Sequence, residues 1–200
     1  MSYVTEFVVL YEIVPYIEYL PLNNETIRVS VKDYIEGGEL KDVIINKYGN
    51  IEDWNTSEVT DMNRLFQFRY YFNEDISKWD VSNVTNMYHM FGKANKFNQP
   101  IGKWDVSNVI YMTGMFSWTK SFNQYIGEWD TSKVTDMSGM FLYAKNFNQD
   151  ISGWDVSNVI YMKYMFWHAE NFNQYIGEWD TSNVITKFNR ETVPWYTSKF

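Results

Sequence analysis

An acidic residue follows tryptophan at Asp80, Asp105, Asp130, Asp155 and Asp180, each 25 residues from the last, with Asn55 in the first such slot. Carboxylates on a fixed step could share hard cations between neighbouring units, because calcium is held by several oxygen ligands. The same carboxylates could instead accept the backbone N–H two residues on and close a local turn. The turn fits better. Calcium-binding repeats carry glycine-rich loops with alternating Asp, these units have none, and Asn55 suits a turn acceptor while weakening a cation site. The Asn of Phe-Asn recurs in the same way, at Asn73, Asn98, Asn123, Asn148 and Asn173. It reads as a ladder that satisfies buried backbone groups. His89 and His168 fall at different places in their units, and neither has a second ligand at usable spacing. No Ser/His/Asp arrangement and no phosphate-binding glycine loop stands out. The expectation is a chain with no catalytic residue, no metal and no cofactor.

What carries these side chains is a repeat. Trp54, Trp79, Trp104, Trp129, Trp154 and Trp179 keep a spacing of 25 residues without a slip. A fixed period in this range marks a stacked repeat array, in which each unit buries its apolar side only against its neighbours. Met112, Met115, Phe116 and Thr119 follow i, i+3, i+4, i+7 spacing, one face of a helical turn. Met87, Met90, Phe91 and Ala94 repeat it, as do Met137, Met140, Phe141 and Ala144, and Met162 and Phe166 open the fifth copy. Ile101, Trp104 and Val106 follow the spacing of a leucine-rich-repeat strand. The expected fold is therefore an α/β solenoid of short parallel strands around Trp-x-Val and short helices carrying Met-x-x-Met-Phe. The Trp, Met and Phe columns form its core.

The stretches W-D-V-S-N-V-x-x-M-x-x-M-F and F-N-Q-x-I resemble the BspA-like leucine-rich repeat surface proteins, in their mycoplasma-type form, over residues 40–187. The resemblance implies a leucine-rich-repeat solenoid that binds proteins or surfaces, with no catalytic residues to carry over. Its members occur in bacteria, protists and giant viruses. The Asn-, Ile-, Lys- and Tyr-rich usage suits an AT-rich genome and points to a viral or mycoplasma-like source.

Three regions are expected. Residues 1–53 form an N-terminal cap, with a strand within Tyr3–Val14, a helix over 26–36 and a second helix from Glu39 to about Tyr48, broken by Gly37, Gly38 and Gly49. The second helix is expected to use Leu40, Val43 and Ile44 as its apolar face. Residues 54–184 hold five and a half repeats, and residues 185–200 form a C-terminal cap. A second period of 50 overlies the first: Tyr111 and Tyr161 alternate with Asn86 and Asp136, and Tyr125 and Tyr175 with Pro100 and Asp150.

Positions that vary between units are free to serve a partner. Fourteen residues beyond Trp stand Phe68, Lys93, Trp118, Tyr143 and His168, with Trp167 adjacent. Exposed aromatics in a row suit protein interfaces and glycan platforms alike; partial burial against neighbouring units is the alternative. The net charge of -8 and pI near 4.8 argue against nucleic acid or an anionic membrane. There is no cysteine, and no apolar run approaches a membrane span. The start of the chain lacks the basic residues of a signal peptide, so an intracellular or virion-associated location is expected. The functional expectation is a non-enzymatic module for protein–protein interaction or structural assembly, oligomeric state open; the alternative is a glycan- or cell-surface-binding, adhesin-like module.

Overall fold

A computed structural model describes residues 19–185. The expected strand at Tyr3–Val14 and the C-terminal cap from residue 186 onward lie outside them. Among the described residues two α-helices precede the repeats: α1, Thr26–Glu36, and α2, Gly38–Tyr48. Asn23 starts α1 by accepting the N–H groups of Glu25 and Thr26 on its side-chain oxygen. Such donors have no partner inside the helix. Gly37 and Gly49 end the two helices at φ of 79° and 80°, and Gly38 opens the second at 61°, positive values that glycine adopts without a Cβ penalty. Helix α1 buries Ile27, Val31 and Tyr34. Helix α2 buries only Ile44 and Tyr48 and leaves Leu40 and Val43 exposed, against the apolar face expected for it.

The repeats correct the expected fold class. Among the described residues there is no strand and no helix beyond residue 53, so the chain is not an α/β solenoid of parallel strands, and the leucine-rich-repeat description does not hold. Each unit is built from turns. The strand placed at Trp-x-Val is absent; the Trp104 N–H bonds locally to the Ile101 carbonyl. Among the described residues the bridges between units are isolated parallel ones, through Asp61, Asn86, Tyr111, Asp136 and Tyr161 in succession.

The missing helices have a specific cause. His89 and Lys93 have φ of 48° and 63°, and the matching slots of every other unit are also left-handed, at Arg64 and Phe68, Gly114 and Trp118, Gly139 and Tyr143, and Tyr164 and His168. A left-handed residue every fourth position cannot continue a right-handed helix. Instead the N–H groups of Met87, His89, Phe91 and Lys93 donate across to the carbonyls of Tyr111, Thr113, Met115 and Ser117 in the next unit. Met90, Gly92 and Ala94, between them, donate back three residues along their own chain. The same residues still face inward: Met87, Met90, Phe91 and Ala94 are fully buried.

Burial and stacking hold the units together. Phe66, Phe91, Phe116, Phe141 and Phe166 stack with successive centroids 5.5–5.7 Å apart. Phe72, Phe97, Phe122 and Phe147 form a second column beside them. The repeat tryptophans are buried, and each indole from Trp79 to Trp179 donates to the carbonyl of an isoleucine 28 residues earlier.

The helical cap stands in for a missing unit. In later units the N–H groups of Ile110 and Tyr111 both donate to the Thr85 carbonyl. In the first unit Thr60 and Asp61 donate instead to the side-chain oxygen of Asn24, at 2.9 and 3.0 Å. Arg28 of α1 donates to the carbonyls of Asn63 and Asp61 and pairs with the Asp61 carboxylate. Side chains thus supply the acceptor and donors that a preceding unit would have offered.

Candidate interaction surface

The left-handed slot fourteen residues beyond Trp aims its side chain outward, because the neighbouring slots fill the core. Five of the expected site residues form one column there. Lys93 lies between the rings of Phe68 and Trp118, its Nζ 5.0 and 5.8 Å from their centroids. Trp118 stacks on Tyr143 at 3.9 Å with planes 18° apart, and Tyr143 on His168 at 4.4 Å and 11°. Phe68 and His168 are exposed; Lys93, Trp118 and Tyr143 are half-buried. Trp167 stands beside the column rather than in it, edge-on to His168 and to Tyr164. The rings cover one another's faces and present their edges. At the first end of the column Phe68 opens on a groove of about 400 Å³ between the cap and the first unit, where Tyr34, Lys41, Tyr70, Tyr71 and Glu74 also line the wall.

Charge divides between two parts of the repeat sequence. The five stretches 62–72, 87–97, 112–122, 137–147 and 162–172 carry seven basic residues and one acid, Glu170. The rest of residues 54–185 carries thirteen acids and three lysines. Lys96 and Lys120 are exposed close to the ring column, and Lys145 pairs with Glu170. A net charge of -8 therefore conceals a basic strip. The basic residues around the column were missed by reading charge along the chain; sorting it by position within the unit reveals them.

The Asp ladder consists of turns. Asp80, Asp105, Asp130, Asp155 and Asp180 accept the N–H of Ser82, Ser107, Ser132, Ser157 and Ser182 at 2.9–3.0 Å, and Asn55 accepts that of Ser57 at 3.2 Å. The serine hydroxyl and then the serine amide hold the carboxyls of Asp105, Asp130 and Asp155 below the usual carboxylate range. Among the described residues no group of three or more acids and histidines gathers as a metal site would.

The Asn ladder runs along the surface instead of inside. Asn98, Asn123, Asn148 and Asn173 each donate a backbone N–H to the side-chain oxygen of the Asn one unit earlier, at 2.8–2.9 Å. A second ladder, not anticipated, uses the Asn of Ser-Asn-Val: Asn83, Asn108, Asn158 and Asn183 donate to serine carbonyls of the preceding unit. Lys133 takes that slot in the one intervening unit and reaches Asn108. His89 is half-buried, edge-on to Tyr88 at 4.5 Å, and burial followed by the charge of Arg64 pushes its imidazole pKa down. No helix among the described residues is long and apolar enough to cross a membrane.

The model of one protein family, DUF285, described as a Mycoplasma protein of unknown function, matches residues 40–127 and again 100–193. No curated protein and no solved structure matches the chain. The two matches together span most of the second helix and all of the Trp-based units, well over half of the sequence, so the chain belongs to the DUF285 family, the mycoplasma-type BspA-like repeat proteins.

Proposed function

We propose that the chain is a non-enzymatic module that binds another protein through the column Phe68–Lys93–Trp118–Tyr143–His168 and the adjacent Trp167. The observation that carries this is the continuity of the column. A row of rings and one amine runs outward on successive units, rigidly backed by a stacked core. Tyrosine and tryptophan give large contact area at little cost in side-chain entropy and are enriched in protein interfaces. Mutual stacking supports a protein partner over a glycan, since a sugar platform needs an open ring face and Trp118 and Tyr143 cover each other. No nucleic-acid partner and no cofactor enter this reading.

Affinity capture from the native source, read by mass spectrometry, tests it. The intact chain is compared with a Trp118→Ser, Tyr143→Ser, Trp167→Ser variant of unchanged fold. A protein retained only by the intact chain supports the interface. Equal retention by both chains removes it.

A further inference from the structure

The basic strip and the acidic side sit on the same units, so they share one pitch. Each unit makes one circuit, as the bridges joining Asp61, Asn86, Tyr111, Asp136 and Tyr161 show. The Asp slot is one residue beyond Trp and the aromatic slot is fourteen beyond it, so the two lie about half a circuit apart. On one side the exposed Asp80, Asp105, Asp130, Asp155 and Asp180 recur unit by unit. On the other stand Lys93, Lys96, Lys120 and Lys145 beside the stacked rings.

We propose that the partner of the ring column is a second copy of this chain, whose Asp-bearing side docks on the basic aromatic strip. This rests on the reading above that the column is a protein interface, and it names the occupant. Two features favour a copy over an unrelated acidic protein. The charges are complementary, with the exposed Lys96 and Lys120 and the partly exposed Lys145 beside the rings and five exposed carboxylates in the Asp slot. The spacing also matches over the middle of the stack, because Lys96, Lys120 and Lys145 stand on three successive units and the Asp slots advance by one unit at a time. The two sides are different surfaces of one molecule, so the contact is head-to-tail and builds an open chain unless its rotation closes a ring.

The test uses the full chain and two variants in sedimentation velocity. In the first variant Lys96, Lys120 and Lys145 become Glu. In the second Asp80, Asp105, Asp130, Asp155 and Asp180 become Asn, which keeps the turn acceptor, as Asn55 shows. The wild-type chain is expected to associate in a concentration-dependent way at about 50 mM salt and to weaken at least ~10-fold at about 500 mM, since exposed charges are screened. Each variant alone is expected to be monomeric. Mixed, they regain one intact contact and stop at a dimer. A wild-type chain that stays monomeric at low salt overturns the proposal. So does association that neither variant reduces. If the wild type is monomeric yet the ring-column variant still loses a captured protein, only the self-docking is lost and the interface reading stands.

Discussion

The indole N–H of Trp129 donates to the carbonyl of Ile101, 28 residues earlier, at 3.2 Å. The same ring is parallel to Trp154 at 6.3 Å. One side chain therefore ties its own unit to the unit before and the unit after.

Trp129→Ala, or Trp104→Ala, should cost roughly 3–5 kcal/mol of stability through lost burial and the cavity left behind. Urea titration followed by tryptophan fluorescence and circular dichroism measures it. A loss below about 1 kcal/mol would contradict the inward placement of the column.

Asn123→Ala should be felt on the surface without any core change. It removes the acceptor of the Asn148 N–H and of the Gln149 side chain. About 1 kcal/mol is expected, the net worth of an intramolecular hydrogen bond. Asn123→Asp keeps the acceptor and should recover most of it. Equal stability of the Ala and Asp variants would show that the ladder bond contributes nothing.

Gly114 and Gly139 occupy the same left-handed slot, at φ of 59° and 58°. Gly139→Ala should cost about 1–2 kcal/mol, from the left-handed backbone alone, because its Cβ would meet only Leu142 at 3.6 Å. Gly114→Ala should cost more, since the new Cβ would run into the His89 ring. In a His89→Ala background the two costs should become equal. A difference that survives the loss of His89 would exclude this ring as its cause.

Stability should fall with acidification in two stages. His89 has a pKa lowered by burial, so it binds fewer protons folded than unfolded. Its contribution is complete above the unfolded value of about 6.5 and is lost as pH falls through the folded value. The serine-bound carboxyls of Asp105, Asp130 and Asp155 are lowered too, and theirs is lost at lower pH, beginning near the unfolded value of about 3.9. His89→Asn should flatten the urea midpoint between about pH 7 and pH 5 and leave the acidic fall in place. An unchanged slope in that window would show that His89 does not couple to folding.

The sidedness of the chain was legible; the element type was not. Gly37 and Gly49 ended the helices where the sequence pattern placed them, and the Trp, Met and Phe columns face inward. The i, i+3, i+4, i+7 pattern at Met87 to Ala94 is satisfied equally by a helix and by turns that bond back three residues. Nothing in Met-x-x-Met-Phe separates the two. The one visible signal was glycine at the same slot in two units, Gly114 and Gly139, where a left-handed residue has no steric cost. His89, Lys93 and Trp118 adopt the same conformation without glycine, held there by bonds to the next unit. That constraint comes from the stack and leaves no local trace. Of the expected site, the column of five residues was recoverable from the period alone, while Trp167 falls beside it and the flanking lysines needed charge sorted by slot.

The alternation of Tyr111 and Tyr161 with Asn86 and Asp136 along the bridge column has a consequence for inheritance. Loss of a single unit by unequal recombination, between Tyr111 and Tyr161, would bring two half-exposed phenol rings onto adjacent units. They would then stand at about the 5.6 Å step of the Phe91–Phe116 pair, as a new greasy seam on the outside. Loss of two units at once would leave the order of the remaining slots unchanged. Which unit is lost therefore decides the outcome: removal of the Asp136 unit joins two rings, whereas removal of the Tyr111 unit joins Asn86 to Asp136 and leaves the column polar there.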